Sequence, residues 1–315
     1  MKKDIIQFKK NATERIGYAH SANALFHFMR KREFLENAIK QCVLYPRYFL
    51  EDLSYRKLKD GDGVLYSEAA VLGICFCDIP LTRIAIEEKI EILNDKGVNV
   101  QERKSHSDLY GEYAIGFSKS WCEKQEVRPV HYYNPLADHK YYLSEAFEVL
   151  VKEEEVPDSF SKYILDDIGL GKPLRGVMER TEVLDGKEQK KRMLKNFHDE
   201  QEWRFIPTQD MCDILTQKLK STIRPIIANP SLLEIFNREG NFFTDLSNRI
   251  ANAKEKKTGL SFKRKEIKYL IVPDEAAKAE LISYLNSLYE KRKVKADLFH
   301  LISCIHVLSD VKRDY

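Results

Sequence analysis

The longest apolar run of the sequence, Ala69–Cys77, restricts the fold most, because it is short and ends at Asp78-Ile79-Pro80. A helix that spans a bilayer needs about 20 apolar residues, so this run predicts a buried core element. Its beginning suits a helix, whereas Gly73–Cys77 suits a strand. At 43% hydrophobic residues, the chain has enough apolar material for a packed core.

Further short apolar runs predict strands, and apolar residues at helical spacing predict helices between them. The predicted strands are Ala24–Met29, Tyr113–Phe117, Arg128–Tyr133, Glu202–Ile206 and Ile267–Pro273. The predicted helices are Glu33–Leu44, Leu81–Leu93, 140–155, 158–168 and Asp274–Lys291. This pattern indicates one α+β domain over residues 1–315, with a small mixed or antiparallel sheet. We expect a helical insertion at about 134–195 and a helical C-terminal part from about 208.

Positive charge is concentrated in two stretches, although 52 Lys and Arg against 49 Asp and Glu leave a net charge of only +3. The stretches are Lys187–Lys195 and Lys254–Lys268. Such clusters are usually solvated surfaces, and they also suit phosphate binding. Lys263, Arg264 and Lys265 are the candidate nucleic-acid-binding residues.

The six cysteines form no C-x-x-C pair, and Cys75-Phe76-Cys77 alternates as a strand would. We therefore expect neither a metal site nor disulfides, and a cytosolic protein without a secretory signal. The glycine-rich loops of kinases, P-loop proteins and dinucleotide-binding folds are absent from the sequence, as is the G-x-S-x-G of hydrolases.

Three polar residues interrupt or follow predicted strands: His27, Asp78 and Glu202. Each has a structural explanation. A strand histidine is often a satisfied core group, an aspartate before Ile-Pro often caps a turn, and Glu202 can pair with a nearby arginine. Spacing alone leaves these alternatives open.

Five segments, taken in order, resemble the abortive phage resistance family AbiGi. They are Leu25–Phe28, Tyr45–Tyr48, Ile74–Leu81, Tyr110–Lys119 and Glu200–Arg204. The resemblance covers roughly residues 24–206, with 267–291 as a weaker extension. It implies a bacterial phage-defence protein of a toxin–antitoxin module.

The same segments also resemble a diverged ADP-ribosyltransferase core, which would use NAD as a substrate and no metal. This resemblance gives Glu202 the stabilisation of the oxocarbenium-like transition state and Glu200 the positioning of the acceptor. It gives His27 the NAD ribose, and Tyr45 or Tyr48 the nicotinamide. The sequence departs from that pattern at Cys75-Phe76-Cys77, which occupies the place of an S-T-S segment.

Two functional hypotheses follow from these resemblances. The first is a toxin that transfers ADP-ribose to a macromolecule, either a protein or a nucleic acid such as RNA, and whose partners are a cognate antitoxin and a chaperone. The alternative is a non-catalytic antitoxin or sensor of an abortive infection system. The first hypothesis requires His27, Glu202 and one of Tyr45 or Tyr48 to share one cleft.

Overall fold

The computed structural model describes residues 22–93, 99–137, 140–152, 156–184, 187–290 and 296–313. Its strands are β1 Ala24–Met29, β2 Val43–Leu44, β3 Arg47–Asp52, β4 Leu58–Lys59, β5 Leu65–Tyr66, β6 Glu68–Cys77, β7 Glu87–Leu93, β8 Asn99–Ser105, β9 Tyr113–Ser118, β10 Arg128–Pro129, β11 His131–Tyr133, β12 Gly171–Pro173, β13 Arg175–Leu184, β14 Lys187–Asn196, β15 Glu202–Phe205, β16 Ile226–Ile227, β17 Leu260–Ser261, β18 Ile267–Val272 and β19 Ile305–Val307. Its helices are α1 Arg32–Gln41, α2 Leu81–Ile84, α3 His106–Tyr110, α4 Lys119–Lys124, α5 Lys140–Lys152, α6 Asp158–Leu170, α7 Gln209–Leu219, α8 Pro230–Arg238, α9 Phe242–Ala253, α10 Glu275–Tyr289, α11 Ala296–Ser303 and α12 Leu308–Arg313. The predicted α+β class is confirmed. Among the described residues, every helix is too short or too polar to cross a bilayer.

The main sheet has nine strands, seven of them in the order β10-β15-β6-β1-β9-β18-β19. Strands β3 and β16 complete it by pairing with the N-terminal half of β6. All pairs are antiparallel except β18 with β19. The predicted helical beginning of the run Ala69–Cys77 is wrong, because β6 is one continuous strand of 10 residues. Neighbouring strands pair with it along its length, which satisfies its backbone as a sheet.

Side chains alternate between the two faces of this sheet, and the strand register defines which residues share a face. Phe26 and Glu202 both pair with Cys77, so these three side chains point to the same side. We call this side the Glu202 face. The neighbouring residues of the same strands, among them His27 and Phe76, point to the opposite side, which we call the His27 face.

The His27 face is covered by helices that pack on it in two apolar clusters. Helices α1, α4, α10 and α11 pack on one part of it, and α7, α8 and α9 pack on the other. The Glu202 face is covered in two separate places, by α2 and α12 at one and by α5 and α6 at the other. Buried charged residues also lie on this face, and they form the candidate functional site.

A second, four-stranded antiparallel sheet has the order β13-β14-β7-β8, and we call it the accessory sheet. The predicted helix Leu81–Leu93 is wrong beyond Ile84, because the chain turns into strand β7. Ile90 and Ile92 of β7 are buried in alternation, which is the period of a strand. Helices α5 and α6 agree with the predicted helices in residues 134–195, and the hairpin of β13 and β14 follows them instead of further helix.

Candidate functional site

Glu200 and Glu202 lie at the entry of strand β15. A 3₁₀ turn, Phe197–Glu200, precedes the strand, and Gln201 between them has a left-handed backbone with φ of 42°. Both glutamates are buried, and both bond the same lysine, Lys172. The structure therefore brings the two predicted catalytic acids together.

Glu202 is held by two cations at once. Its Oε1 accepts a hydrogen bond from Arg204 Nε at 2.7 Å, and its Oε2 accepts from Lys172 Nζ at 2.8 Å. Arg204 Nη2 adds a bond of 3.0 Å to the same oxygen. The peptide N–H of Glu202 is itself bonded to the hydroxyl of Tyr132 at 2.7 Å. Each carboxylate oxygen of Glu202 thus has a cationic donor.

The ion pairs continue in both directions from Glu202. Arg204 also donates to Glu51 of strand β3 and to the carbonyl of Gly169. Lys172 reaches Glu200 at 3.1 Å, and Lys195 of β14 reaches Glu200 at 3.0 Å. We call the resulting chain of alternating charges the ionic network: Glu51, Arg204, Glu202, Lys172, Glu200 and Lys195.

The network is neutral as a whole, and its members hold each other in the charged state. Burial alone would raise the pKa of Glu202, but Arg204 and Lys172 outweigh burial and hold that pKa below its ordinary value. The pKa of Glu200 is likewise lowered, because Lys172 and Lys195 outweigh its burial. Burial acts to lower the pKa of Lys172, yet the two glutamates raise it well above its ordinary value. Glu200, Glu202, Lys172 and Arg204 therefore stay ionised at neutral pH.

Helix α3 brings aromatic residues to the Glu200 end of the network. The Tyr110 hydroxyl donates to Glu200 and accepts from Lys195 at 2.9 Å. The His106 ring lies between Tyr110 and Phe28, with ring centroids at 4.5 Å and 4.8 Å. Burial and the charge of Lys195 lower the pKa of His106 to about 3, so its imidazole is neutral.

The ends of α3 are fixed by local structure. Ser105 and Asp108 form a capping box at its start. At its end Gly111 has φ of 127°, and a Cβ there would lie 2.3 Å from the Met29 carbonyl oxygen. Only glycine fits this conformation and this contact, which dock the helix against the end of β1.

A cleft of about 450 Å³ opens beside the network, between the end of β6, helix α2 and the accessory sheet. Its lining includes Arg83, Lys89, Lys104, Lys195, His106 and Glu200. The volume falls within the range of ligand pockets, roughly 300–1,000 Å³. Its wall is mainly polar, which suits a ligand that is recognised by hydrogen bonds and charge.

His27 lies on the opposite face of the main sheet from Glu202. It pairs in register with Ile115, and its ring lies 5.7 Å from that of Phe76, both of which belong to the apolar packing of the His27 face. Its Nδ1 is 2.8 Å from the carbonyl oxygen of Cys75. Burial lowers the pKa of His27 and outweighs that hydrogen bond. The predicted shared cleft of His27 and Glu202 is therefore wrong.

The two candidate nicotinamide-stacking residues also have structural contacts away from the network. Tyr48 is on the His27 face, where it pairs with Leu72 and packs on Phe243. Its hydroxyl donates to the carbonyl of Arg224 at 2.7 Å. Tyr45 is half-buried, and its hydroxyl donates to Gln41 at 3.3 Å.

The basic stretch near residue 264 is only partly available to a ligand. Lys263 and Lys265 are exposed, whereas Arg264 is half-buried. Arg264 donates to the carbonyl of Lys40 and lies 5.6 Å from the ring centre of Tyr289. Contact of this stretch with nucleic acid stays a prediction.

Asp78 and the cysteines have structural roles in the described part of the chain. Asp78 forms a buried ion pair with Lys119, which is a structural role different from the turn cap that the sequence predicted. The six cysteines are free thiols, and Cys75 and Cys77 lie on the Glu202 face. The described residues contain no group of three or more His, Cys, Asp or Glu side chains that could hold a metal ion.

Residues 97–273, more than half of the chain, match the model of a family described as "Putative abortive phage resistance protein AbiGi, antitoxin". The chain belongs to the AbiGi family. A protein of Lactococcus lactis subsp. cremoris with the name "Abortive phage resistance protein AbiGi" is 27% identical over 280 residues, which are 86% of this chain and 98% of that protein. No solved structure matches the chain. The predicted AbiGi resemblance is confirmed, whereas these comparisons do not extend to an ADP-ribosyltransferase core.

Of the cations in this site, the sequence predicted only an arginine near Glu202, as the structural alternative for that residue. Arg204 follows Glu202 by two residues in a strand, and that spacing places opposite charges on one face. The sequence therefore contained a local signal for the pair of Glu202 and Arg204. Lys172, Lys195 and Tyr110 carry no comparable local pattern, because their contacts with Glu200 join segments that are distant in sequence.

Proposed function

We propose that this AbiGi-family chain is the antitoxin of a two-component phage-resistance module, which binds its cognate toxin protein and holds it inactive. The description of the family as an antitoxin supports this proposal most directly. Membership of such a module also implies a partner protein. No reacting group of the chain is needed for neutralisation by binding.

The geometry of the predicted catalytic acids supports the same proposal. A carboxylate that stabilises a developing positive charge must face the substrate and respond to it in the transition state. The side chain of Glu202 is 7% exposed and is already neutralised by Arg204 and Lys172. The charge of Glu202 is thus compensated within the protein and does not face a substrate.

Transfer of ADP-ribose from NAD stays a prediction. Its residue roles would need revision, because His27 and Glu202 point to opposite faces of the main sheet. Glu200 is the predicted catalytic residue that lines the cleft. An NAD-dependent reaction would therefore have to use Glu200 and its neighbours rather than the predicted set.

Co-expression tests the antitoxin proposal. The chain alone should leave bacterial growth unchanged, the neighbouring gene of the module alone should arrest growth, and the two together should grow and co-purify as a complex. Glu202→Gln should still neutralise when its soluble level equals that of the wild type. The matched control is Glu234→Gln, which removes the charge of a glutamate whose side chain is 65% exposed.

The opposite outcome of the co-expression experiment would contradict the antitoxin proposal. If the chain alone arrests growth, transfers label from radioactive NAD to lysate, and loses both effects in Glu200→Gln but not in Glu234→Gln, then the antitoxin proposal is wrong. The transferase prediction would then replace it.

A further inference from the structure

The two basic stretches of the sequence use their charges differently. In the described part of Lys187–Lys195, the ammonium of Lys191 bonds Glu102 at 2.8 Å, and that of Lys195 belongs to the ionic network. In Lys254–Lys268, six lysines are exposed, and none of them has an acidic ion-pair partner among the described residues. The second stretch therefore keeps its positive charge available to a ligand.

Both acids of this second stretch are already bonded. Glu255 pairs with Lys218 of helix α7 at 3.1 Å, and the side chain of Glu266 accepts the peptide N–H of Lys263 at 2.6 Å. The hydrogen bond from Lys218 is the main cause that lowers the pKa of Glu255. Because the stretch has seven cations and only these two acids, most of its positive charge is uncompensated.

The apolar residues of the same stretch face the interior. Leu260, Phe262 and Ile267 are buried in the apolar packing of the His27 face. The stretch thus exposes lysines without an apolar anchor beside them. Protein interfaces are depleted of lysine and bind through aromatic and apolar anchors, and membrane-bound segments insert apolar side chains as well as charges. A surface of lysines alone suits the phosphate backbone of a nucleic acid.

The backbone that carries these lysines is held by local hydrogen bonds. The hydroxyl of Thr258 donates to the carbonyl of Glu255 at 2.8 Å, and the hydroxyl of Ser261 donates to the carbonyl of Lys256 at 3.0 Å. A Cβ on Gly259 would lie 2.6 Å from a carbonyl oxygen of β2, so the close approach of the two segments requires glycine. Binding a ligand need not order this segment, which lowers the entropic cost of binding.

Four of the lysines lie close together, in two pairs. Lys256 and Lys257 precede strand β17, and Lys263 and Lys265 follow it. The hydrogen bond from Ser261 brings the backbone of Lys256 to within roughly 15 Å of that of Lys263, because two residues span at most about 7 Å. We call these four lysines the basic surface.

We propose that the basic surface binds the phosphate backbone of a nucleic acid without reading its base sequence. Contacts with phosphate fix the position of a protein on a nucleic acid and carry no sequence information. Arg264, the central residue of the predicted set, has a structural role instead, since it bonds the carbonyl of Lys40 at the end of helix α1. The inference goes beyond the proposed antitoxin function and does not depend on it.

Two double variants test the proposal. Lys256→Gln with Lys257→Gln and Lys263→Gln with Lys265→Gln each remove two charges of the basic surface. Each should raise the Kd for a fluorescein-labelled oligonucleotide at least tenfold at about 50 mM salt. On duplex DNA, each should also reduce the slope of log Kd against log salt by about 2, because two phosphate contacts are lost. Fluorescence anisotropy measures both quantities.

The matched control is Lys59→Gln with Lys162→Gln, which removes two exposed charges on the opposite side of the main sheet, where β4 and α6 pack. It should change the Kd less than twofold and leave the slope unchanged. Urea unfolding should give the same stability for all three double variants, because exposed lysines contribute little to it. Oligonucleotides of unrelated sequence should bind the wild type equally well.

Four outcomes would overturn the proposal. Basic-surface variants that bind like the control would mean that these lysines are only solvated, and a strong preference for one sequence would contradict backbone binding. Tighter binding to vesicles that contain phosphatidylserine than to oligonucleotides would make the basic surface a membrane contact. Loss of toxin neutralisation in these variants, with unchanged oligonucleotide binding, would assign it to the toxin. A wild type that binds oligonucleotides but no toxin would overturn the proposed function alone.

Discussion

The two faces of the main sheet are made by the same strands but are stabilised by different interactions, apolar packing on one and buried ion pairs on the other. On the His27 face, Phe76 and Phe205 pack into a continuous apolar core. On the Glu202 face, one residue away along the same strands, Glu202 and Arg204 are buried as ions. An apolar core tolerates the loss of one member by partial relaxation, whereas a neutral chain of ions loses its balance when one member is removed.

Arg204→Met should therefore give one of the two largest effects on stability. It leaves Glu202 and Glu51 with less compensation inside the protein, which costs about 3–5 kcal/mol of the free energy of unfolding. Adding Glu202→Gln to this variant should recover part of the loss, because the buried charge that caused it is removed. Urea unfolding of the four proteins of the cycle measures both effects.

Phe76→Ala is the matched control on the opposite face. Its cavity should also cost about 3–5 kcal/mol. Adding Glu202→Gln to it should recover nothing, since Phe76 has no charge to balance. Equal recovery in both backgrounds would contradict the distinction between the faces.

The pH dependence of the free energy of unfolding should differ between variants of the two faces. This difference should be smaller than the losses of stability expected for Arg204→Met and Phe76→Ala. The folded pKa values of Glu200 and Glu202 lie below the ordinary value of about 4.3, so their contribution is present above that pH and is lost as pH falls through the folded values. The wild type should lose stability as pH falls from about 5 to 3. Glu202→Gln, although less stable at pH 7, should lose roughly 1–3 kcal/mol less over that interval.

Phe76→Leu should follow the wild-type pH profile at a lower level, because it alters packing alone. Unfolding by guanidinium at several pH values gives the comparison. A Glu202→Gln profile parallel to that of the wild type would mean that Glu202 does not stabilise the fold through its charge.

Tyr48→Phe should have the smallest effect. It removes the hydroxyl that donates to the Arg224 carbonyl at 2.7 Å and accepts from the Arg224 N–H at 3.2 Å. The expected cost is about 1–2 kcal/mol, independent of pH near neutrality. Neutralisation of the partner should be unchanged, because Tyr48 is buried and its substitution leaves the protein surface as it is. A variant that folds but fails to neutralise would contradict this placement.

The sequence predicted the main sheet better than the accessory sheet, for a physical reason. Strands β1, β9, β15 and β18 are short apolar runs between turn residues, and these are strong local signals. The accessory strands have few apolar residues because one of their faces is mostly solvated. In β7, three glutamates and a lysine surround the alternating Ile90 and Ile92, and the pattern was interpreted as a helical stripe.

The site was predictable only where its residues are neighbours in sequence. Glu200 and Glu202 lie together, as their spacing in the chain predicts, whereas their catalytic role stays a prediction. The sequence assigned His27 to the same site because a polar residue in an apolar strand is a candidate functional residue. Its polarity does not show which face of the sheet the side chain occupies. That face follows from the register of β1 with β6 and β9, which is a tertiary property.

The alternation along β15 has a consequence for how the chain selects its alignment. A slip of one residue against β6 would bring Glu202 and Arg204 among the phenylalanines and Trp203 towards Lys172. A slip of two would keep the faces but separate the ions from Glu51 and Lys172, which belong to other strands. Strand β15 has only 4 residues, too few for its backbone hydrogen bonds alone to discriminate strongly between alignments. The buried ions therefore select one register of β15 against β6. In any other register, the protein would have unpaired charges in its interior.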